Sequence, residues 1–251
     1  MKVLETHGLN IGYGKRTVLS DINLAVCKGT LTTLIGANGS GKSTLLRTLA
    51  GAQPPLSGSI LFGGRTIEQL RRPELAKSLA MVFTDRTGGG GLSVEETVEI
   101  GRHPYTDLFG RLSEKDRKIV HESIEAVGLG GMKSRLCGTL SDGERQKVMI
   151  ARALAQDTPL IILDEPTAFL DVAGRIEITA LLRSLADSGK AIVLSTHDIS
   201  SAIAVADSLW IVDKTAGRLI EAPRDTAIEH GLLDKAFPGL HFDKTSYSFI
   251  L

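Results

Sequence analysis

Leu31-Thr32-Thr33-Leu34-Ile35 runs straight into Gly36-Ala37-Asn38-Gly39-Ser40-Gly41-Lys42-Ser43, and an amphipathic stretch from Thr44 to Ala50 follows, closed by Gly51 and Pro54. The segment from Gly36 to Ser43 fits the pattern G-x-x-x-x-G-K-[ST], placed between a predicted strand and a predicted helix. Each residue type has a physical task there. The glycines let backbone N–H groups curl around phosphate oxygens, and the helix start adds the positive end of its dipole. Lys42 supplies a point charge and Ser43 a hydroxyl for Mg²⁺. The stretch therefore predicts a nucleoside-triphosphate site on an α/β sheet rather than a plain glycine-rich connector.

Downstream, the apolar run Leu160 to Leu163 ends in Asp164 and Glu165, which puts two acids at the carboxyl end of a buried strand, where open α/β sheets keep their ligands. One acid suits Mg²⁺ and the other suits accepting a proton from an attacking water. His197, followed by Asp198, closes the next predicted strand, Ala191 to Ser195, at the same sheet edge. Upstream, Tyr13 sits in a Gly-Tyr-Gly turn, where an aromatic ring can stack on a base or simply pack on an edge strand. Between these lies Leu140-Ser141-Asp142-Gly143-Glu144-Arg145-Gln146, a capped helix start and hence a second anion site.

In this order the phosphate loop, the Ser141 segment, the Asp-Glu strand and the later histidine resemble the ATP-binding-cassette (ABC) ATPases, along essentially the whole chain. The resemblance implies an ATP-binding set of Tyr13, Gly36, Asn38, Gly39, Ser40, Gly41, Lys42, Ser43 and Thr44, with Tyr13 stacking on adenine. It implies Mg²⁺ at Ser43 and Asp164, Glu165 as catalytic base and His197 as γ-phosphate switch. Ser141, Asp142, Gly143 and Glu144 form the signature, which in this family caps ATP held by another subunit, and Asp171 belongs to the loop that crosses the dimer interface. With one phosphate loop and one signature in the chain, two copies are expected to build two complete sites.

One position departs from the family pattern. A glutamine usually follows the strand ending in Met81, Val82 and Phe83, but here Thr84 and then Asp85 stand in its place. Either Thr84 or Asp85 takes over its contact to metal or water, or this chain couples less tightly. Asp142, where glycine is commonest in the signature, is a milder departure at the first position of a helix.

Alternating strands and helices on both sides of the phosphate loop imply a parallel sheet with covered faces. Residues 1–85 and 160–251 are expected to form the α/β nucleotide-binding core, including an N-terminal antiparallel β subdomain. Residues 86–159 read as an inserted helical subdomain, because Ser93, Ser113 and Ser141 are each followed three residues later by an acid, the pattern of a capped helix start. Gly88 to Gly91 reads as its most mobile stretch.

The 251 residues are 42% hydrophobic and carry 29 Lys and Arg against 29 Asp and Glu. This balance argues for a globular core and against a dedicated nucleic-acid binder, whose domain is usually strongly basic. Cys27 and Cys137 form no metal-ligand spacing and read as packed thiols in a reducing compartment. No apolar run reaches membrane-spanning length, and no secretory signal is visible at the start.

The segment Ser93 to Val98 leading to Gly101-Arg102-His103-Pro104-Tyr105-Thr106 is similar to that of ATPases from iron-siderophore, haem and cobalamin importers. The resemblance implies a homodimeric ATPase peripheral to the cytoplasmic face of a bacterial inner membrane. It would power uptake of a metal chelate through separate permease subunits and, indirectly, a substrate-binding protein. A zinc or manganese importer ATPase and a soluble, non-transport cassette ATPase are the alternatives. The stretch after His197 is too short for the regulatory barrel of sugar-importer ATPases.

Overall fold

The structure, a computed structural model, describes residues 1–83, 91–107, 109–245 and 247–250. Thr84, Asp85 and Gly88 to Gly90, singled out above, lie outside the described residues. Strand β1 (Lys2–Tyr13) pairs antiparallel with β2 (Arg16–Ile22) and β3 (Ala25–Cys27). Leu4 and Thr6, then Leu9 and Ile11, are buried at period 2, and the phase changes where the register against β5 shifts between His7 and Asn10. After β4 (Leu31–Ile35) and helix α1 (Lys42–Leu49), the chain returns as β5 (Ser57–Phe62), antiparallel to β1, and β6 (Arg65–Thr66). A short helix α2 (Arg72–Ala76) then leads into β7 (Leu79–Val82).

Helices α3 (Val94–Glu99), α4 (Glu114–Ala126) and α5 (Asp142–Ala155) follow, with a 3₁₀ turn at Ile100–Tyr105. All three helices start on a reciprocal cap: the Ser93, Ser113 and Ser141 side chains accept from the amides of Glu96, Asp116 and Glu144, whose carboxylates reach back. Each pair satisfies two amides that the helix itself leaves without partners. Alternation then resumes with β8 (Leu160–Asp164), α6 (Val172–Asp187), β9 (Ala191–Ser195), α7 (Ile199–Val205), β10 (Ser208–Asp213) and β11 (Arg218–Pro223).

The second sheet has the order β11-β10-β4-β9-β8-β7, parallel except for the β10–β11 hairpin. Every residue of β4, β8 and β9 is buried, because both faces are covered. The two faces belong to different cores. Leu160 and Ile162 pack with Leu45, Leu46, Leu49 and the N-terminal sheet, whereas Ile161 and Leu163 pack with the helices. Burying one such side chain contributes about 1.5–3 kcal/mol, so the alternation along β8 clamps it from both sides.

Beyond β11, the chain forms α8 (Arg224–Glu229) and a hairpin of β12 (His241–Asp243) and β13 (Ser248–Ile250), which hydropathy patterning did not announce. Phe249 meets Phe237 and Phe242 edge to face, with centroids 4.8 and 5.2 Å apart. Cys27 is half-buried and Cys137 buried, both as free thiols. No helix among the described residues is long and apolar enough to cross a membrane.

Candidate active site

The parallel order decides which side chains meet. Strand β9 lies between β4 and β8, with Ser195 level with Leu34 on one side and Asp164 on the other. The three strands point the same way, so the loop after Ile35, the acids ending β8 and the histidine after β9 emerge at one edge.

The phosphate loop is shaped by its glycines. Gly39 and Gly41 have φ of 68° and 103°, a region disfavoured for residues with a Cβ. A Cβ on Gly41 would stand 2.5 Å from Val18 Cγ1, and one on Gly36 would stand 2.7 Å from Ser40 Oγ. Lys42 is buried, and its Nζ donates to the Gly36 carbonyl at 2.7 Å and the Ala37 carbonyl at 3.3 Å. Burial pushes the Lys42 ammonium below its ordinary pKa, and the Glu165 and Asp164 carboxylates partly offset this. The Ser40 hydroxyl is buried and finds no hydrogen-bond partner among the described residues. The loop is thus curled around a space that protein groups do not fill. That space is a cleft of about 340 Å³, lined by Tyr13, Arg16, Val18, residues 38–44 and Glu165. The Tyr13 hydroxyl lies 3.1 Å from Thr44 Oγ1, and its ring is 55% exposed at the cleft mouth.

Asp164 is buried, and its Oδ1 accepts from Ser195 Oγ at 2.6 Å. The same hydroxyl accepts from the Glu165 amide at 3.0 Å. Glu165 has a φ of 52°, a left-handed conformation that turns the chain sharply after the strand. Its Oε1 lies 2.6 Å from His197 Nε2. Ser195 was not visible as a site residue in the sequence, because its role depends on the register of β9 against β8. Arg16 and Val18 were missed for the same kind of reason: the β1–β2 hairpin carries them to the cleft.

A separate cleft of about 450 Å³ gathers Ser141, Asp142, Gly143 and Glu144 with Lys147, Leu170, Asp171 and Glu177. Ser141 caps α5, and Asp142 is its first residue, where a carboxylate sits well with the helix dipole and accepts from Arg145 Nη1 at 3.0 Å. Asp171 caps α6, accepting from the Gly174 amide at 2.7 Å. The structure therefore brings Tyr13, residues 38–44 and Glu165 together in one cleft and places Ser141, Asp142, Gly143, Glu144 and Asp171 in another.

The ABC transporter family profile matches residues 19–168, from β2 through the phosphate loop and the Ser141 helix to just past Asp164 and Glu165. The chain belongs to the ABC transporter family. It is an ATPase, and its α/β core is that of the ABC ATPases. The chain is 47% identical to an uncharacterised ABC transporter ATP-binding protein of Methanocaldococcus jannaschii over 84% of its length and 73% of the relative's. It is 40% identical to the iron(3+)-hydroxamate import ATP-binding protein FhuC of Bacillus subtilis, over 80% of its length and 76% of that protein's. Among solved structures, an inward-facing transporter assigned to the metal-chelate ABC type superposes with a TM-score of 0.82 at 26% identity. That match covers 100% of this chain and 96% of the other. In this ABC ATPase, the family match includes the phosphate loop, the signature and the acid pair, while Tyr13, Asp171 and His197 lie outside it.

Proposed function

We propose that this ABC ATPase is the motor of an importer for a metal chelate of the iron-siderophore, haem or cobalamin kind. The 40% identity to an iron(3+)-hydroxamate import ATP-binding protein carries the substrate class. In this reading two copies work with separate permease subunits, and indirectly with a substrate-binding protein. The chain is then peripheral, at the cytoplasmic face of a bacterial inner membrane.

ATP occupies the cleft beside Tyr13, with its phosphates in the loop formed by Gly36, Asn38, Gly39, Ser40 and Gly41 and against Lys42, Ser43 and Thr44. The Ser43 hydroxyl and the Asp164 carboxylate are hard oxygen donors that suit Mg²⁺. Phosphate oxygens and water would complete the ion's shell. When bound, the ion would neutralise charge on the phosphates. Glu165, oriented by Ser195 and held against His197, accepts the proton of the attacking water, and His197 is placed to contact the γ-phosphate. Ser141, Asp142, Gly143 and Glu144 of one copy cap the ATP of the other, with Asp171 at the seam. Catalysis is then chiefly positioning and electrostatics, switched on when the two copies close.

The test is whether the chain co-purifies with a permease encoded in a neighbouring reading frame, followed by ATPase assays with ferric hydroxamate and its binding protein. Chelate-stimulated hydrolysis that disappears in Glu165→Gln supports the reading. Stimulation by zinc or manganese alone overturns the substrate class.

A further inference from the structure

Arg102 is buried to 3% exposure in the 3₁₀ turn Ile100–Tyr105. Its Nη2 lies 2.7 Å from Asp116 Oδ1, in the first turn of α4, and its Nη1 donates to the Ala155 carbonyl at the end of α5 at 2.8 Å. Asp116 is itself fixed, with Oδ2 accepting from the Ser113 amide at 2.9 Å. The guanidinium carbon stands 3.9 Å from the centroid of the Tyr105 ring, and Lys77 Nζ stands 4.6 Å from the same centroid. Lys77 joins α2 to β7 and so belongs to the parallel-sheet part of the chain. Next to Ala155, Gln156 Nε2 donates to the Ala76 and Leu79 carbonyls at 2.6 and 2.8 Å. Backbone packing is close as well, since a Cβ on Gly101 would stand 2.2 Å from the Arg152 carbonyl oxygen. The 3₁₀ turn, the end of α5 and the entry to β7 thus meet at one point.

A buried ion pair is seldom the most stabilising way to fill such a place; well-packed apolar side chains often do as well. What the arginine fork adds is direction, because a carboxylate, a carbonyl and an aromatic ring together fix its position and its plane. Direction matters at this end of α5, because the other end carries Ser141. Over its 14 residues the helix is about 21 Å long, so a tilt of about 5° at the Ala155 end moves Ser141 by about 2 Å. Catalytic groups tolerate displacements of roughly 0.5 Å.

We propose that Arg102, Tyr105 and Lys77 form the pivot that aims α5, and with it the signature, at the nucleotide of a second copy. Tyr105 and Arg102 are then positioning residues for ATP hydrolysis. This rests on the reading that Ser141 to Glu144 cap a partner's ATP.

The experiment uses the full chain with MgATP. Arg102→Ala leaves Asp116 buried without its cation and threatens the fold, so the decisive variants are Tyr105→Leu, Tyr105→Phe and Lys77→Gln, beside Ser141→Arg. Losing the ring on which both cations rest lowers kcat about five-fold in Tyr105→Leu, with KM for ATP and Tm held. Tyr105→Phe restores turnover, and Lys77→Gln shows a smaller fall in the same direction. In a Glu165→Gln background, Tyr105→Leu moves ATP-driven dimerisation, followed by light scattering, to about five-fold higher protein concentration. Wild-type turnover in Tyr105→Leu, a loss that Tyr105→Phe does not restore, or a loss matched by the fraction unfolded overturns the pivot. Wild-type turnover in Ser141→Arg overturns the signature reading and the pivot with it, whereas an inactive Ser141→Arg beside an active Tyr105→Leu overturns the pivot alone.

Discussion

Glu165 Oε1 and His197 Nε2 stand 2.6 Å apart, although they follow different strands, β8 and β9, whose last residues Asp164 and Ser195 are register partners. The contact holds the carboxylate at the sheet edge beside the phosphate loop. Glu165→Gln keeps the shape but cannot take up a proton. Turnover is expected to fall by about 10²–10⁴ while ATP binding survives, since general-base catalysis is worth that much. His197→Ala, which removes the imidazole beside Glu165 Oε1, should also slow turnover without weakening ATP binding. Single-turnover hydrolysis beside equilibrium nucleotide binding measures both; an active Glu165→Gln rules out the base.

The curl of the phosphate loop depends on the absence of side chains at Gly36 and Gly41. Gly41→Ala places a methyl 2.5 Å from Val18 Cγ1 at a φ of 103°, so the loop must open. Loss of measurable ATP binding at millimolar nucleotide is expected, with the rest of the fold retained. Equilibrium dialysis beside circular dichroism tests this, and unaltered affinity would show that the loop does not hold the phosphates.

Buried Lys42 makes stability depend on alkaline pH. Its ammonium has a pKa below its ordinary 10.5 because burial disfavours the charge. Between its folded pKa and 10.5 the unfolded chain binds more protons, so stability rises with pH across that window and carries the full burial cost below it. Lys42→Met should erase this rise, seen as the wild-type minus variant difference in urea unfolding from neutral to alkaline pH. The same variant should lose ATP binding. A difference that stays constant with pH would mean that the ammonium is not desolvated.

Glu74 acts with the opposite sign at acid pH. Its carboxyl is held down to about 2 from 4.5, first by the Arg71 amide and then by the Arg65 and Arg71 side chains. The stabilisation is therefore present above pH 4.5 and is lost as pH falls from there towards 2. Glu74→Gln should unfold more readily than wild type near neutrality, and the gap should close across that window. A carboxyl titration by NMR with a midpoint near 4.5 would contradict the arrangement.

The sequence was most legible where chemistry is local. The curl from Gly36 to Ser43 and the caps at Ser93, Ser113 and Ser141 depend on residues within one turn of each other, so spacing alone announces them. Burial of β8 and β9 was legible for a related reason: the apolar runs Leu160 to Leu163 and Ala191 to Leu194 have no polar face to expose, whereas β4 buries Thr32 and Thr33 as well. Contacts made across the chain were not. The Arg102–Asp116 pair joins residues whose neighbours give no periodic hint, and Ser195 meets Asp164 only because β9 lies beside β8. The C-terminal hairpin is held by Phe237, Phe242 and Phe249, whose ring contacts depend on tertiary placement and not on alternation. Asp171 entered only through the family resemblance, and its capping of α6, by accepting from the Gly174 amide at 2.7 Å, was not legible from spacing.

Ser195 supplies the remaining prediction, because its hydroxyl is shared by the two acids. It donates to Asp164 Oδ1 at 2.6 Å and accepts from the Glu165 amide at 3.0 Å, while the Ser195 carbonyl accepts from the same amide at 3.1 Å. Ser195→Ala removes the donor to a buried carboxylate but leaves the amide its carbonyl partner. Stability should fall by about 1 kcal/mol, the net worth of one hydrogen bond. Asp164 should then orient less firmly and turnover should fall, whereas Ser195→Thr, which retains the hydroxyl, should preserve turnover. A Ser195→Ala protein with unaltered stability and unaltered turnover would show that Asp164 does not depend on this bond.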